Sequence, residues 1–303
     1  MTIPAHAQLM KDTPMPTLTE IGNDQLTVQI SSLGAEMQSL RTKDGQSLLW
    51  HGDAAYWGGR SPILFPIVGK AKDDTLLIDG KPYSMAQHGI ARRREFTLLE
   101  AGADVCRHDL TAGDETKAAY PFDFSLVLEH RLHGAALTVA ATVSNRSDTP
   151  MPYGLGFHPA FLWPLPGAEG KPHTITLENG AEPPLLRLGG GLLAEEARPS
   201  PFHAGRLVLD KSQFEEDAMI FPEGAGTELT YRAEDAASLH FHFENLPNLA
   251  LWQKPGAPFI CIEPWHGMAA RHGKSGELTE RPYTVILAPG DSARHGFTVT
   301  VEA

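Results

Sequence analysis

Gln25-Leu26-Thr27-Val28-Gln29-Ile30 alternates polar and apolar residues at a strict period of two. Successive side chains leave a β-strand on opposite faces. The pattern therefore predicts a strand with Leu26, Val28 and Ile30 buried and Gln25, Thr27 and Gln29 towards water. Phe122–Leu128, Leu137–Val143, Leu239–Phe243 and Phe297–Val301 read the same way. Asp79-Gly80 stands between Leu76–Ile78 and Pro82–Met85, which marks a two-residue hairpin turn. Asp44-Gly45 repeats the signal between Leu40 and Leu48. Helical periodicity is scarce, and only Gly191–Ala197 reads as a short helix. With 29 glycines and 24 prolines, turns are frequent. Many short strands and few helices predict an all-β fold, a large antiparallel β-sandwich.

The segment Pro164–Pro201 is rich in proline and glycine. It reads either as a linker or as long loops on one sandwich. Strands of one type flank it on both sides, which favours a single domain over 18–303, behind a loose tail over 1–17. The chain has 303 residues, 42% of them hydrophobic, ample for a large core. Its formal net charge of −12 disfavours nucleic acid and anionic membrane surfaces as partners. Two cysteines, Cys106 and Cys261, exclude a disulfide scaffold but leave one bridge open. No apolar run is long enough for a membrane span. Met1–Thr17 carries Pro4, Pro14 and Pro16 and lacks the features of a secretory signal, so a cytoplasmic protein is expected.

Four polar residues stand in apolar or Gly/Pro-rich settings. His158 lies in Tyr153–Phe161, after Gly154 and Gly156 and before Pro159. Imidazole titrates near neutrality, so a rigidly held His158 suits proton transfer. Locally, a hydrogen-bonded structural histidine fits as well. Glu263 ends the apolar run Ala257–Trp265. Alternation puts it on one face with Cys261 and Trp265, opposite Ile260 and Ile262. Burial there would strengthen it as a base, and an adjacent indole suits the C–H face of a sugar. A structural glutamate bonded to backbone amides is the other reading.

His88 precedes Gly89 and the run Arg92-Arg93-Arg94, where a turn histidine and a solvated basic run are the plainer readings. Asp217 enters the apolar strand ending at Phe221. It serves either as an acceptor for sugar hydroxyls or as a strand-start turn residue. His240 and His242 share a strand face without an identifiable third ligand, so they read as solvent-facing rather than as a metal site. Cys261 reads as a small buried filler before a nucleophile. No phosphate loop, nucleophile elbow or His-Glu-x-x-His motif is present.

Taken in order, these segments resemble the aldose 1-epimerase (mutarotase) superfamily, nearest to its shorter bacterial branch. The matching stretches are Leu33–Leu40, Tyr56–Gly69, Gln87–Arg92, Gly156–Pro159, Phe214–Phe221 and Leu251–Trp265. The resemblance runs from about Leu26 to Val301. It implies a supersandwich of antiparallel sheets around a sugar cleft. It also implies His158 as the general acid on the ring oxygen and Glu263 as the general base on the anomeric hydroxyl. His88 and Asp217 match substrate-binding positions, and Trp265 lies beside the base. Family members carry an Asn-Arg pair whose arginine contacts the sugar. Here that region reads Phe65-Pro66-Ile67-Val68-Gly69-Lys70. Lys70 or Arg60 is therefore expected as the substitute, with Arg92 as a further basic contact.

Ring opening needs one proton removed and one delivered, and no metal, nucleotide or covalent intermediate. No cofactor is expected. The expected substrate is a neutral aldohexose, since consecutive Arg92–Arg94 in a strand cannot all face one phosphate. A hexose 6-phosphate is the alternative. A sugar-binding protein without turnover and a metal enzyme using His88, His158, Asp217 and Glu263 are the rival classes.

Overall fold

The computed structural model describes residues 15–302. Most of the tail expected over 1–17 lies outside these described residues. The chain is built of antiparallel strands, with Asp114–Lys117 the one α-helix among the described residues. A nine-stranded sheet runs in the order Arg206–Val208, His173–Leu177, Glu228–Ala233, Ser238–Glu244, Ser292–Glu302, Ala136–Asn145, Phe124–His133, Val105–Thr111 and Thr97–Ala101. A six-stranded sheet includes Met219–Phe221, Asn248–Trp252, Phe259–His266, Leu155–Phe157 and Ile63–Leu64, with Ala160–Leu162 also paired to Phe259–His266. Leu18–Gly22, Leu26–Ser31 and Met37–Thr42 form a three-stranded sheet.

The period-two stretches become strands that bury the expected side chains. Leu26, Val28 and Ile30 are at most 1% exposed. Leu137, Val139, Ala141 and Val143 join them in one apolar core, with Leu239, Phe241, Phe243, Phe297 and Val299. Asp79 and Gly80 both take left-handed backbone and join Thr75–Ile78 to Lys81–Ser84. Asp44-Gly45 also turns the chain, closed by Thr42–Gln46 and Leu48–Leu40 backbone hydrogen bonds and an isolated Arg41–Ser47 bridge without a full hairpin ladder.

Two expectations differ from what the structure shows. Gly191–Ala197 is not helical. Gly190 and Gly191 both have positive φ, which closes a hairpin between Leu188–Gly189 and Leu192–Leu193. Leu193 is fully buried, and its N–H reaches the Ala270 carbonyl instead of a helical partner. The second difference lies within Pro164–Pro201, read as loops. It contains His173–Leu177, an interior strand of the nine-stranded sheet. Cys106 and Cys261 are free and buried. His240 and His242 pair with the carboxylates of Glu302 and Glu228 on a solvated face. Among the described residues, no helix is long and apolar enough to cross a membrane.

Candidate active site

Strand Phe259–His266 carries the candidate base, Glu263. Its alternation sends Ile260 and Ile262 into the main core and leaves Cys261, Glu263 and Trp265 on the other face. Glu263 is 1% exposed and pairs across the sheet with Ala250, whose small side chain leaves room above it. His158 follows strand Leu155–Phe157 and is held before Ala160–Leu162, which pairs with Phe259–His266. Its Nε2 thereby lies 3.2 Å from Glu263 Oε2. The contact is off the line of a good hydrogen bond, so Glu263 Oε2 is buried without a partner, and the other imidazole nitrogen, His158 Nδ1, is also buried without one. Trp265 Nε1 is orphaned beside them, as is Gln253 Oε1. Buried polar atoms are nearly always satisfied, so four orphans around one cleft mark a place where a polar ligand completes the bonding.

These atoms line a cleft of about 540 Å³, within the usual range for a small-molecule site. His88, Arg92, Asp217 and Trp265 line it with His158 and Glu263. Trp57 and Trp252 complete an aromatic collar around His158, with ring centroids 4.9 and 5.6 Å from the imidazole. Sequence reasoning missed both, along with Tyr56, Gln253 and Lys254. Trp57 stands in the quoted motif Tyr56–Gly69 and Trp252 in Leu251–Trp265, so their positions were visible although their role was not. Trp265 differs from the expected sugar platform. It is 5% exposed, with its indole flat against Gly156, where any Cβ would strike the ring. It forms floor rather than wall.

Neither expected replacement for the sugar-contacting arginine lines the cleft. The Arg60 guanidinium is bound to the His51 carbonyl and to Gln38. Lys70 lies 3.8 Å from Asp74 and is outside the lining residues. Arg92 does line the cleft, half-buried and with its pKa lowered by burial and by Arg93. Asp217 is exposed at the rim, in a left-handed turn whose carbonyl accepts from Arg187 at 2.7 Å.

Burial governs the electrostatics. It holds His158 well below the usual imidazole range, with His88 adding to the effect. It pushes Glu263 well above the usual carboxylate range, with the Asp217 charge adding to that. His88 is lowered to about 3, first by burial and then by Arg92 and Arg281. Burial also raises the Cys261 thiol well above its ordinary value, which suits a filler and not a nucleophile. Among the described residues, His158, Cys261 and Glu263 form one group whose candidate ligand atoms lie within 4.8 Å of one another. His88 and Asp217, which a four-ligand site would need, are not in it.

Gly89 shows how tightly the backbone is fitted here. It has φ +78, and a Cβ would collide with the Phe65 carbonyl. Gly89→Ala is expected to destabilise the fold by about 2–4 kcal/mol in urea unfolding. A loss under about 1 kcal/mol would show that this turn can relax.

The aldose 1-epimerase family model matches residues 17–299. The chromosomal protein LacX of Lactococcus lactis subsp. lactis is 30% identical over 294 residues, covering 93% of this chain and 98% of that protein. The galactose mutarotase related enzyme from Lactobacillus acidophilus superposes with a TM-score of 0.90 at 28% identity, covering 95% and 98% of the two chains. A galactose mutarotase-like protein from Lactobacillus casei ATCC 334 gives a TM-score of 0.87 at 28% identity, covering 94% and 100%.

Proposed function

This chain belongs to the aldose 1-epimerase family, and from that premise we propose that it interconverts the α and β anomers of an aldohexose, with His158 as acid and Glu263 as base. Family membership and mutarotase-like neighbours support an epimerase or mutarotase activity in general. The observation that carries the finer reading is the 3.2 Å separation of His158 Nε2 and Glu263 Oε2 on the orphaned wall of the cleft. The ring oxygen and the anomeric hydroxyl hang from one carbon, so the groups serving them must lie within a few ångströms of each other, as this pair does.

The proton balance fits a buried pair. Glu263 takes the anomeric proton while His158 delivers one to the ring oxygen, and the C1–O5 bond breaks to leave the aldehyde. The C1–C2 bond rotates, and closure on the other carbonyl face returns both protons. The pair holds one proton throughout. Burial favours its uncharged form, neutral His158 with protonated Glu263, in the empty cleft. Sugar hydroxyls bonded to the carboxylate favour the charged form that starts the reaction. The His158–Glu263 pair carries no net charge in either form, and among the other lining residues Glu215 and Asp217 balance Arg92 and Lys254, so the cleft offers no surplus positive charge to a phosphate, which supports a neutral sugar over a hexose 6-phosphate.

The test is anomer exchange by polarimetry or NMR on glucose, galactose and their 6-phosphates. His158→Asn is expected to lower kcat by about 10²–10³-fold in a folded protein. Exchange near the wild-type rate would remove His158 from the mechanism, and a large preference for the phosphates would overturn the neutral-sugar reading. The His158, Cys261 and Glu263 group favours metal dependence as the second reading. Full activity after exhaustive chelation is expected, and loss restored by one divalent ion would establish the metal instead.

A further inference from the structure

His88 faces the acid–base pair with only one ring nitrogen. Its Nδ1 accepts the Gly69 N–H at 3.1 Å, and the His88 backbone N–H donates to the Gly69 carbonyl at 2.9 Å. A neutral imidazole that accepts at Nδ1 carries its proton on Nε2. That nitrogen lies 3.3 Å from Gln87 Nε2, so a proton on it requires the Gln87 amide turned over with its oxygen accepting, and the ring stands edge-on to His158 with centroids 5.7 Å apart. The tautomer of His88 is thus set by the placing of one peptide, Val68-Gly69-Lys70.

That peptide is gripped by Arg281, a residue 7% exposed and reaching in from a distant part of the chain. The Arg281 guanidinium donates to the Val68 carbonyl at 2.8 Å, the Lys70 carbonyl at 3.2 Å and the Met268 carbonyl at 3.0 Å. It therefore holds the carbonyls on both sides of Gly69 and ties them to the strand end that carries Ala269, another lining residue. No carboxylate pairs with Arg281 among the described residues, so its donors are spent on backbone alone. A planar fork suits three fixed carbonyls in a way that a lysine ammonium does not.

We propose that Arg281 is a positioning residue. By clamping Val68-Gly69-Lys70 it fixes His88 as an Nε2–H donor, which offers a hydrogen bond to a substrate oxygen and takes no proton itself. This rests on the cleft being the active site. The charges around His88 act in the same sense, since Arg92, Arg93 and Arg281 all oppose its protonation and His158 is uncharged in the empty cleft.

Long-range ¹H–¹⁵N correlations of histidine-labelled protein test the proposal, with the His88 signals assigned by their loss in His88→Asn. In the sugar-free wild type, His88 is expected to show a protonated Nε2 and a bare Nδ1, unchanged down to pH 5. Arg281→Met is expected to give a mixture of tautomers and to raise KM about tenfold, the equivalent of one hydrogen bond, with a smaller change in kcat. Arg281→Lys is expected to fall between the two. A protonated Nδ1 in the wild type overturns the proposal. So does a folded Arg281→Met, or Arg281→Lys if Met does not fold, whose His88 spectrum and KM match the wild type. The tautomer is read without sugar, so a protein that fails to exchange anomers refutes the epimerase reading and leaves the clamp standing.

Discussion

Glu263→Gln is expected to lower kcat for anomer exchange by about 10²–10⁴-fold and to leave the protein at least as stable as wild type. Glutamine keeps the shape of the side chain and cannot take a proton. The site gives it room, because the carboxylate faces the cleft and is flanked by Ala250 on the paired strand. Stability is expected to hold because Glu263 Oε2 has no hydrogen-bond partner and burial works against its charge. Replacing a strained ionisable group by a neutral isostere relieves that cost. KM should change little, since the amide oxygen still accepts from a sugar hydroxyl. The measurement pairs single-anomer polarimetry with urea unfolding. A folded variant within tenfold of the wild-type kcat would remove Glu263 as the base. A collapse in stability would mean the carboxylate is structural, the other reading its sequence context allowed.

The residues of the cleft were legible where a polar side chain interrupts an apolar pattern. Glu263 stands out because strand alternation has no use for a buried carboxylate between Ile262 and Trp265. His158 and His88 stand out because glycines shape the turns around them. Residues that make the cleft from ordinary material were not legible. Trp57 and Trp252 look like core aromatics, and only the approach of the loop carrying Trp57 to the end of strand Asn248–Trp252 puts both rings on His158. Arg281 sits between Glu280 and Pro282 with nothing local to single it out, and its importance arises from carbonyls about 210 residues away in the chain. Arg60 shows the opposite failure. It stands in a segment that borders the cleft, yet its guanidinium holds the His51 carbonyl and Gln38.

The fold shows the same division. Alternation marked the long strands because each has one face in the core and one in water. His173–Leu177 was overlooked because proline and glycine surround it, although its Ile175 and Leu177 are buried as period two requires. Gly191–Ala197 looked helical because Leu192-Leu193 precedes Ala194, Glu195, Glu196 and Ala197, all compatible with helix. The two left-handed glycines before Leu192 decide the chain direction instead, and backbone geometry outweighs weak propensity.

Between pH 7 and pH 5 the protein is expected to lose about 6 kcal/mol of stability, well before carboxylates protonate. Three buried histidines carry most of the loss, and burial lowers His108 and His173 in the same sense. Burial lowers His130 to about 3, with neighbouring His108 adding to it. His88 is lowered to about 3 and His295 to about 4, each chiefly by burial. In the unfolded chain each takes a proton near 6.5, while the native state excludes it. Stability is therefore complete above 6.5 and falls as pH drops, until the folded values of about 4 and 3 are reached. At pH 5 each group is 1.5 units below its unfolded value, about 2 kcal/mol apiece. His158 and Glu263 add little over this window, because the native pair holds one proton while the unfolded residues go from about a quarter of a proton at pH 7 to about one at pH 5, a net effect under about 1 kcal/mol. Urea unfolding at both pH values measures the difference, and a loss under about 2 kcal/mol would mean that these imidazoles find protons without unfolding. His130→Leu isolates one of the three. His130 faces the core between Leu128 and Leu132, and its Nδ1 has no partner, so leucine removes an unmet polar atom and fills apolar surroundings. The variant should be at least as stable as wild type at pH 7 and should lose about 2 kcal/mol less on going to pH 5. An unchanged pH slope would show that His130 is already charged in the fold.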